Sequence, residues 1–159
     1  MTRATILSLR ALLVLLLLGT LAAQLWFFPV LAGGLAHENP ELAWLRWPLL
    51  VVVIVVIVLA QAVLIAIWRL LSLVEGDRVF SPDAFAWVSV IIGSAAAGCV
   101  LVLGTDAYLT LVVEANPPAL MLMLAAVGTG LGAFALLMAV MKGLLRQAAG
   151  MKHELSEVI

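Results

Sequence analysis

Arg69-Leu-Leu-Ser-Leu-Val-Glu-Gly-Asp-Arg-Val-Phe-Ser-Pro-Asp83 is a polar stretch in the middle of an otherwise apolar chain. It holds two cations, two adjacent turn-forming residues and a Ser-Pro-Asp helix start, and long uncharged runs flank it on both sides. Read as a water-exposed elbow between two hairpins, it divides the chain into two pairs of membrane-crossing segments. With 66% hydrophobic and 11% charged residues over 159 positions, the composition lies far from the roughly 45–50% apolar and about 25% charged balance of soluble domains. The physical class it implies is an integral membrane protein.

On the N-terminal side of the elbow, residues 11–36 carry no charge, and Leu49–Ile67 is rich in valine and isoleucine with one polar residue, Gln61. So many β-branched residues would suit a buried strand in water. A run of nineteen residues is too long for a strand and suits a spanning helix, because about 20 apolar residues cross a hydrocarbon core of roughly 30 Å. Gly33, Gly34, Asn39 and Pro40 are expected to break the first helix, with His37, Glu38, Glu41 and Arg46 in a polar loop. Trp44 and Trp47 close that loop at headgroup level, where an indole is buried while its N–H stays wet. A cleaved signal peptide is the rival reading of the first segment, since Arg3 and Arg10 resemble a charged leader and Thr20-Leu-Ala22 a cleavage site. The apolar run through Trp26, Phe27 and Phe28 to Leu31 favours retention as a span.

On the C-terminal side, Ser81 can cap a helix, Pro82 fits its first position and Asp83 favours the positive end of its dipole. The third span then passes through Gly93-Ser-Ala-Ala-Ala-Gly98-Cys99, where Gly93 and Ala97, and Ser94 and Gly98, share helix faces at a spacing of four. Small residues let two helix backbones approach closely in lipid. Asp106, Tyr108, Glu114 and Asn116-Pro-Pro118 read as a loop, and the fourth span carries Gly128 and Gly132 at the same spacing. The two small faces are expected to meet. The expected fold is therefore all-α, one domain over residues 1–159, with spans at about 11–31, 48–68, 83–104 and 119–141 and a tail at 142–159 that continues the last helix.

Four spans put both termini on one side. Arg3, Arg10, Arg69, Arg78, Lys142, Arg146 and Lys152 all fall on that side, and of the eight lysines and arginines only Arg46 falls on the other. By the positive-inside rule the termini and elbow are cytoplasmic, in a multi-pass protein of the cell membrane.

These features are similar to those of a family of small bacterial membrane proteins grouped as domain of unknown function 2975. The resemblance rests on four spans, on Trp68-Arg-Leu-Leu71 followed by Gly76-Asp-Arg-Val-Phe-Ser-Pro82, and on Leu144-Leu-Arg-Gln-Ala148 with the ending Glu154-Leu-Ser-Glu-Val-Ile159. Asp83 and Ala84 depart from the family pattern, which commonly has an asparagine after the Ser-Pro. Genes of that family often neighbour a small helix-turn-helix regulator, so the resemblance implies a cytoplasmic regulatory protein as partner and implies no activity.

Each candidate site has a plainer structural reading. Arg69, Arg78, Phe80, Lys142, Arg146 and Lys152 are candidate contacts for a partner or for membrane lipid; the plainer reading is a turn in which Gly76 is permissive, Ser81 caps a helix and Arg78 snorkels to headgroups, with the tail cations fixing topology. Gln24 and Gln61 are intramembrane polar groups suited to a solute pathway or to a helix-to-helix hydrogen bond. Gly93, Ala97, Ser94, Gly98, Gly128 and Gly132 are packing residues, and Cys99 reads as packing among them. Being the sole cysteine, it excludes an intrachain disulfide. His37, Glu38 and Glu41 suit a weak metal or pH-sensing patch, or merely a solvated loop.

No nucleophile–base pair, carboxylate pair, phosphate loop or metal-ligand spacing occurs in the sequence. The expectation is a non-enzyme with no catalytic residues, no cofactor and no metal, and a net charge of -1 predicts no direct nucleic-acid binding. A binding or regulatory module acting through the elbow and tail is the leading reading. A small transporter or channel subunit formed by several copies of the chain is the alternative.

Overall fold

The computed structural model describes residues 3–38, 40–76, 81–114 and 116–157. Among them every regular element is helical, as lipid requires: with no water to satisfy N–H and C=O groups, a single segment must pair its own backbone. Four helical segments are long and apolar enough to cross a membrane, Thr5–Gly34, Pro40–Glu75, Pro82–Val113 and Pro118–Ala148.

The first segment consists of α1 (Arg3–Ala22), a π-helical turn at Ala23–Phe27, and α2 (Phe28–Glu38). The wide turn has a local cause. Pro29 lacks an N–H and its ring would collide with the carbonyl four residues back, and the backbone relaxes so that the Phe28 N–H donates to the Ala23 carbonyl, five residues away. Gly33 and Gly34 do not break the helix as the sequence suggested; they lie inside α2, since lipid favours an intact backbone ladder and spanning helices tolerate glycine.

A 3₁₀ turn at Pro40–Leu45 leads into α3 (Arg46–Glu75), with Pro48 in its first turn, where a missing N–H costs nothing. Because α3 runs to Glu75, the elbow is shorter than its sequence implied and Arg69 stands on a helix. Ser81, in extended conformation, starts α4 (Pro82–Tyr108): its hydroxyl accepts the Ala84 N–H at 3.4 Å. Asp106 and Tyr108, expected in a loop, belong to α4, which continues as a π-helical turn through Val113 and ends on Glu114 in the left-handed region at φ 52°. The last helix, α5 (Pro118–Glu157), has 40 residues and is about 60 Å long.

Packing follows chain order: the first segment lies on α3, α3 on α4 and α4 on α5, and among the described residues no pairing of α5 with α1 or α3 approaches these in extent. This open row exposes 10702 Å², against about 7,700 Å² for a compact monomer of this length. The excess is apolar; Leu25 and Trp26, for example, are 81% and 79% exposed. Burial concentrates on α4, where Ala84, Ile91, Ala95, Gly98 and Val102, with Leu109 beyond, recur at steps of seven, four and three. That repeat is the one two nearly parallel helix axes need to stay in contact.

The α4–α5 seam is tight because of its glycines. A Cβ on Gly128 would stand 2.5 Å from Leu103 Cδ2, one on Gly132 3.1 Å from Cys99 Sγ, and one on Gly98 3.3 Å from Leu131 Cδ1. Ser94 is buried close by, and Ala97 is half-buried. Gly93 is a correction to the expected packing set: it is exposed and would meet nothing within 4 Å, because it falls outside the seven-residue repeat that carries Gly98.

Gly128→Leu is expected to cost about 1–3 kcal/mol through overpacking against Leu103. Gly130→Ala, two residues away with open space around it, should be neutral or gain up to about 1 kcal/mol in helix propensity. Thermal unfolding of the two variants in detergent measures the difference.

Candidate functional site

Two polar layers join the helices, one inside the spans and one at the elbow end. In the inner layer, Thr20 and Gln24 stand one turn apart on the first segment, and Ile54 and Gln61 two turns apart on α3. The Gln61 amide donates to Gln24 Oε1 at 2.9 Å and to Thr20 Oγ1 at 3.2 Å, while the Gln24 amide donates to the Ile54 carbonyl at 3.3 Å. Thr20 in turn donates to the Leu17 carbonyl at 3.0 Å. Gln24 lies within the π-helical turn set by Pro29. The two glutamines predicted as the polar groups of the spans are thus brought together, each satisfied largely by the other helix.

The elbow-end layer is built from cations lying over aromatic rings. Arg10 on α1 lies 5.5 Å from the ring centre of Trp68 on α3, Arg69 on α3 lies 5.8 Å from Trp87 on α4, and Arg146 on α5 lies 5.8 Å from Phe85 on α4. Arg10 also pairs with Glu75 and donates to the Ser72 hydroxyl at 3.4 Å, and Lys142 donates to Ser89. Each helix of the row is therefore tied to the next at this end. Individually such contacts contribute about 0.5–1 kcal/mol at exposed sites. Phe85 with Arg146, Ser89 with Lys142, Cys99 with Gly132 and Leu103 with Gly128 keep one antiparallel register, since each advance along α4 matches an equal retreat along α5.

Of the predicted contact residues, Arg69, Lys142 and Arg146 meet in this layer. Arg78 and Phe80 lie outside the described residues, as does the side chain of Lys152, whose backbone belongs to α5. The sequence reading missed the Arg10–Glu75 pair and the role of Trp68 and Trp87 as cation partners. The signal was present: on each hairpin, cations and aromatics stand at matching distances from the turn.

At the far end Arg46 lies 5.2 Å from the Trp47 ring centre, and the Asn116 amide donates to Asp106 Oδ1 at 2.9 Å and Thr110 Oγ1 at 2.8 Å, tying Asn116 to the end of α4 and the π-helical turn that follows it. Among the described residues no three of His, Cys, Asp and Glu gather as metal ligands. The hydroxyls of Ser8, Ser72, Ser89 and Thr105 donate to carbonyls of their own helices.

Length, hydropathy and polar groups turned toward one another define the class: a multi-pass helical membrane protein made of two hairpins in a row. Residues 30–159 match the family described as "Protein of unknown function (DUF2975)", and the chain belongs to that family. The match begins inside α2, leaving most of the first segment, Gln24 included, outside it. No curated protein and no solved structure matches the chain.

Gln24 and Gln61 should be energetically coupled. In a double-mutant cycle with Gln24→Leu and Gln61→Leu, unfolding in detergent is expected to return a coupling of about 0.6 kcal/mol, and no more than about 1.7, as for interhelical hydrogen bonds in lipid.

Proposed function

We propose that the protein is a non-enzymatic membrane module whose elbow end is a cytoplasmic docking face for a regulatory protein, in the cell membrane of a bacterium. The observation that carries this reading is the length of α5. At about 60 Å it is twice as long as a hydrocarbon core is thick, about 30 Å, so its last turns stand in water on the side that holds Arg10, Arg69, Lys142 and Arg146. The seven-to-one distribution of lysine and arginine supports a cytoplasmic placement of that side. Arg146 is exposed on α5 next to Phe85 of α4, which gives the projecting helix a fixed root, and the Leu144, Leu145, Ala148, Met151 and Leu155 spacing supplies an apolar stripe for a partner helix.

The inner glutamine layer favours a second reading, a small transporter or channel subunit, because polar groups at membrane depth commonly line pathways. Their hydrogen bonds to each other make the docking reading the better one. Solute flux in proteoliposomes that Gln61→Ala alters would reverse that order.

Two measurements test the docking reading. In a Cys99→Ala background, Glu41→Cys should react with an impermeant thiol reagent in intact cells and Gly76→Cys only after permeabilisation; the reverse pattern contradicts the orientation. A protein captured from native membranes by the full chain should be lost at least tenfold on removal of residues 149–159, with the membrane fraction unchanged. Absence of any stoichiometric partner contradicts the docking role.

A further inference from the structure

Between the Arg10 clasp and the glutamine layer, α1 and α3 do not close on each other. They leave a groove of about 350 Å³ walled by Val14 and Leu17 on one side and Leu64 and Ile65 on the other, with Arg69 and Ser72 at its elbow-end mouth. We propose that this groove holds one anionic phospholipid, an acyl chain between Leu17 and Leu64 and the phosphate at Arg69.

Dimensions favour an acyl chain over a protein helix. From Leu64 to Ser72 the groove runs about 12 Å along α3, so its volume corresponds to a cross-section of about 30 Å². A narrow section of that kind suits a single hydrocarbon chain better than a helix, which with its side chains is about 10 Å wide, or about 80 Å² in section. The walls are aliphatic from Leu13 to Ile65, with the Trp68 ring toward the mouth, and Arg69 and Ser72 stand at one end, which is the division of an amphiphile lying along the helix.

Charge decides the headgroup. Arg10 and Arg69 bring two positive charges to this end of α1 and α3, and the one ion pair among the described residues, Arg10 with Glu75, returns one negative charge. Arg69 is exposed and lies over the Trp87 face with no carboxylate against it among the described residues. The remaining unit of positive charge matches one phosphodiester whose headgroup carries no ammonium of its own. The site lies in whichever leaflet the elbow faces, so it does not depend on the orientation or the partner proposed above.

Native mass spectrometry tests the assignment on the full chain taken from vesicles of phosphatidylglycerol and phosphatidylethanolamine in equal parts. One retained phosphatidylglycerol per chain is expected. Arg69→Gln should lower its retention about fivefold, the worth of one interfacial cation, and Leu64→Trp and Val14→Trp, which fill the groove from opposite walls, should abolish it. Lys142→Gln, at the same depth on α5, should leave it unchanged. Circular dichroism and thermal unfolding identify a tryptophan variant that has lost its fold, and the other then carries the test. Equal retention of both lipids, retention unchanged in the folded tryptophan variants, or a disulfide-linked dimer through Leu64→Cys in place of a lipid adduct overturns the proposal.

Discussion

Lipid offers helices no hydrophobic reason to associate, because a leucine is as well solvated by acyl chains as by another leucine. Helix contacts in such a chain must come from close backbone approach and from polar groups that lipid cannot satisfy. Both sources are visible, and each operates in a different place. The α4–α5 seam uses absence of side chain: Gly98, Gly128 and Gly132 admit Leu131, Leu103 and Cys99 to distances at which any Cβ would press on them. The join between the first segment and α3 uses polarity, through Gln24, Gln61 and Thr20. Where neither source operates, as along Leu17 and Leu64, the helices part and leave a groove.

This division explains why α4 is the best-packed span and the first segment and α3 the least buried. It also gives the elbow end a mechanical role. Cation–aromatic pairs join α1 to α3, α3 to α4 and α4 to α5 at one depth, so a ligand or partner that draws away one guanidinium loosens one join and leaves the seam intact. Such an arrangement is compatible with the docking module proposed above and ties α5 to α4 where α5 begins to project.

The spans and the start of α4 were legible because hydropathy and the Ser-Pro-Asp signal act locally. The boundaries were less so. Gly33 and Gly34 mark a break in water and none in lipid, and Asp106 and Tyr108 are polar enough to suggest a loop yet remain helical at the interface. Pro29 was the readable signal for the π-helical turn that carries Gln24. Gly93 and Gly98 look alike in the small-residue stretch; only the repeat running from Ala84 through Ile91, Ala95 and Val102 separates the buried one from the open one. That Gln24 meets Gln61 was not legible from the turn alone: Gln24 lies 16 residues before Pro40 and Gln61 21 after it, and their long side chains reach across that offset. The groove was not legible at all, since it is the space left where two otherwise ordinary leucine-rich faces fail to meet.

The open row is most directly tested by disulfide cross-linking in membranes, in a Cys99→Ser background. Leu103→Cys with Gly128→Cys should cross-link rapidly, because their side chains share one space, while Leu16→Cys with Leu137→Cys, on α1 and α5 at similar depth, should not cross-link within one chain. Efficient intrachain cross-linking of the second pair would mean that α1 and α5 close the row into a ring, and would contradict the chain-order packing on which the groove and the elbow layer both depend.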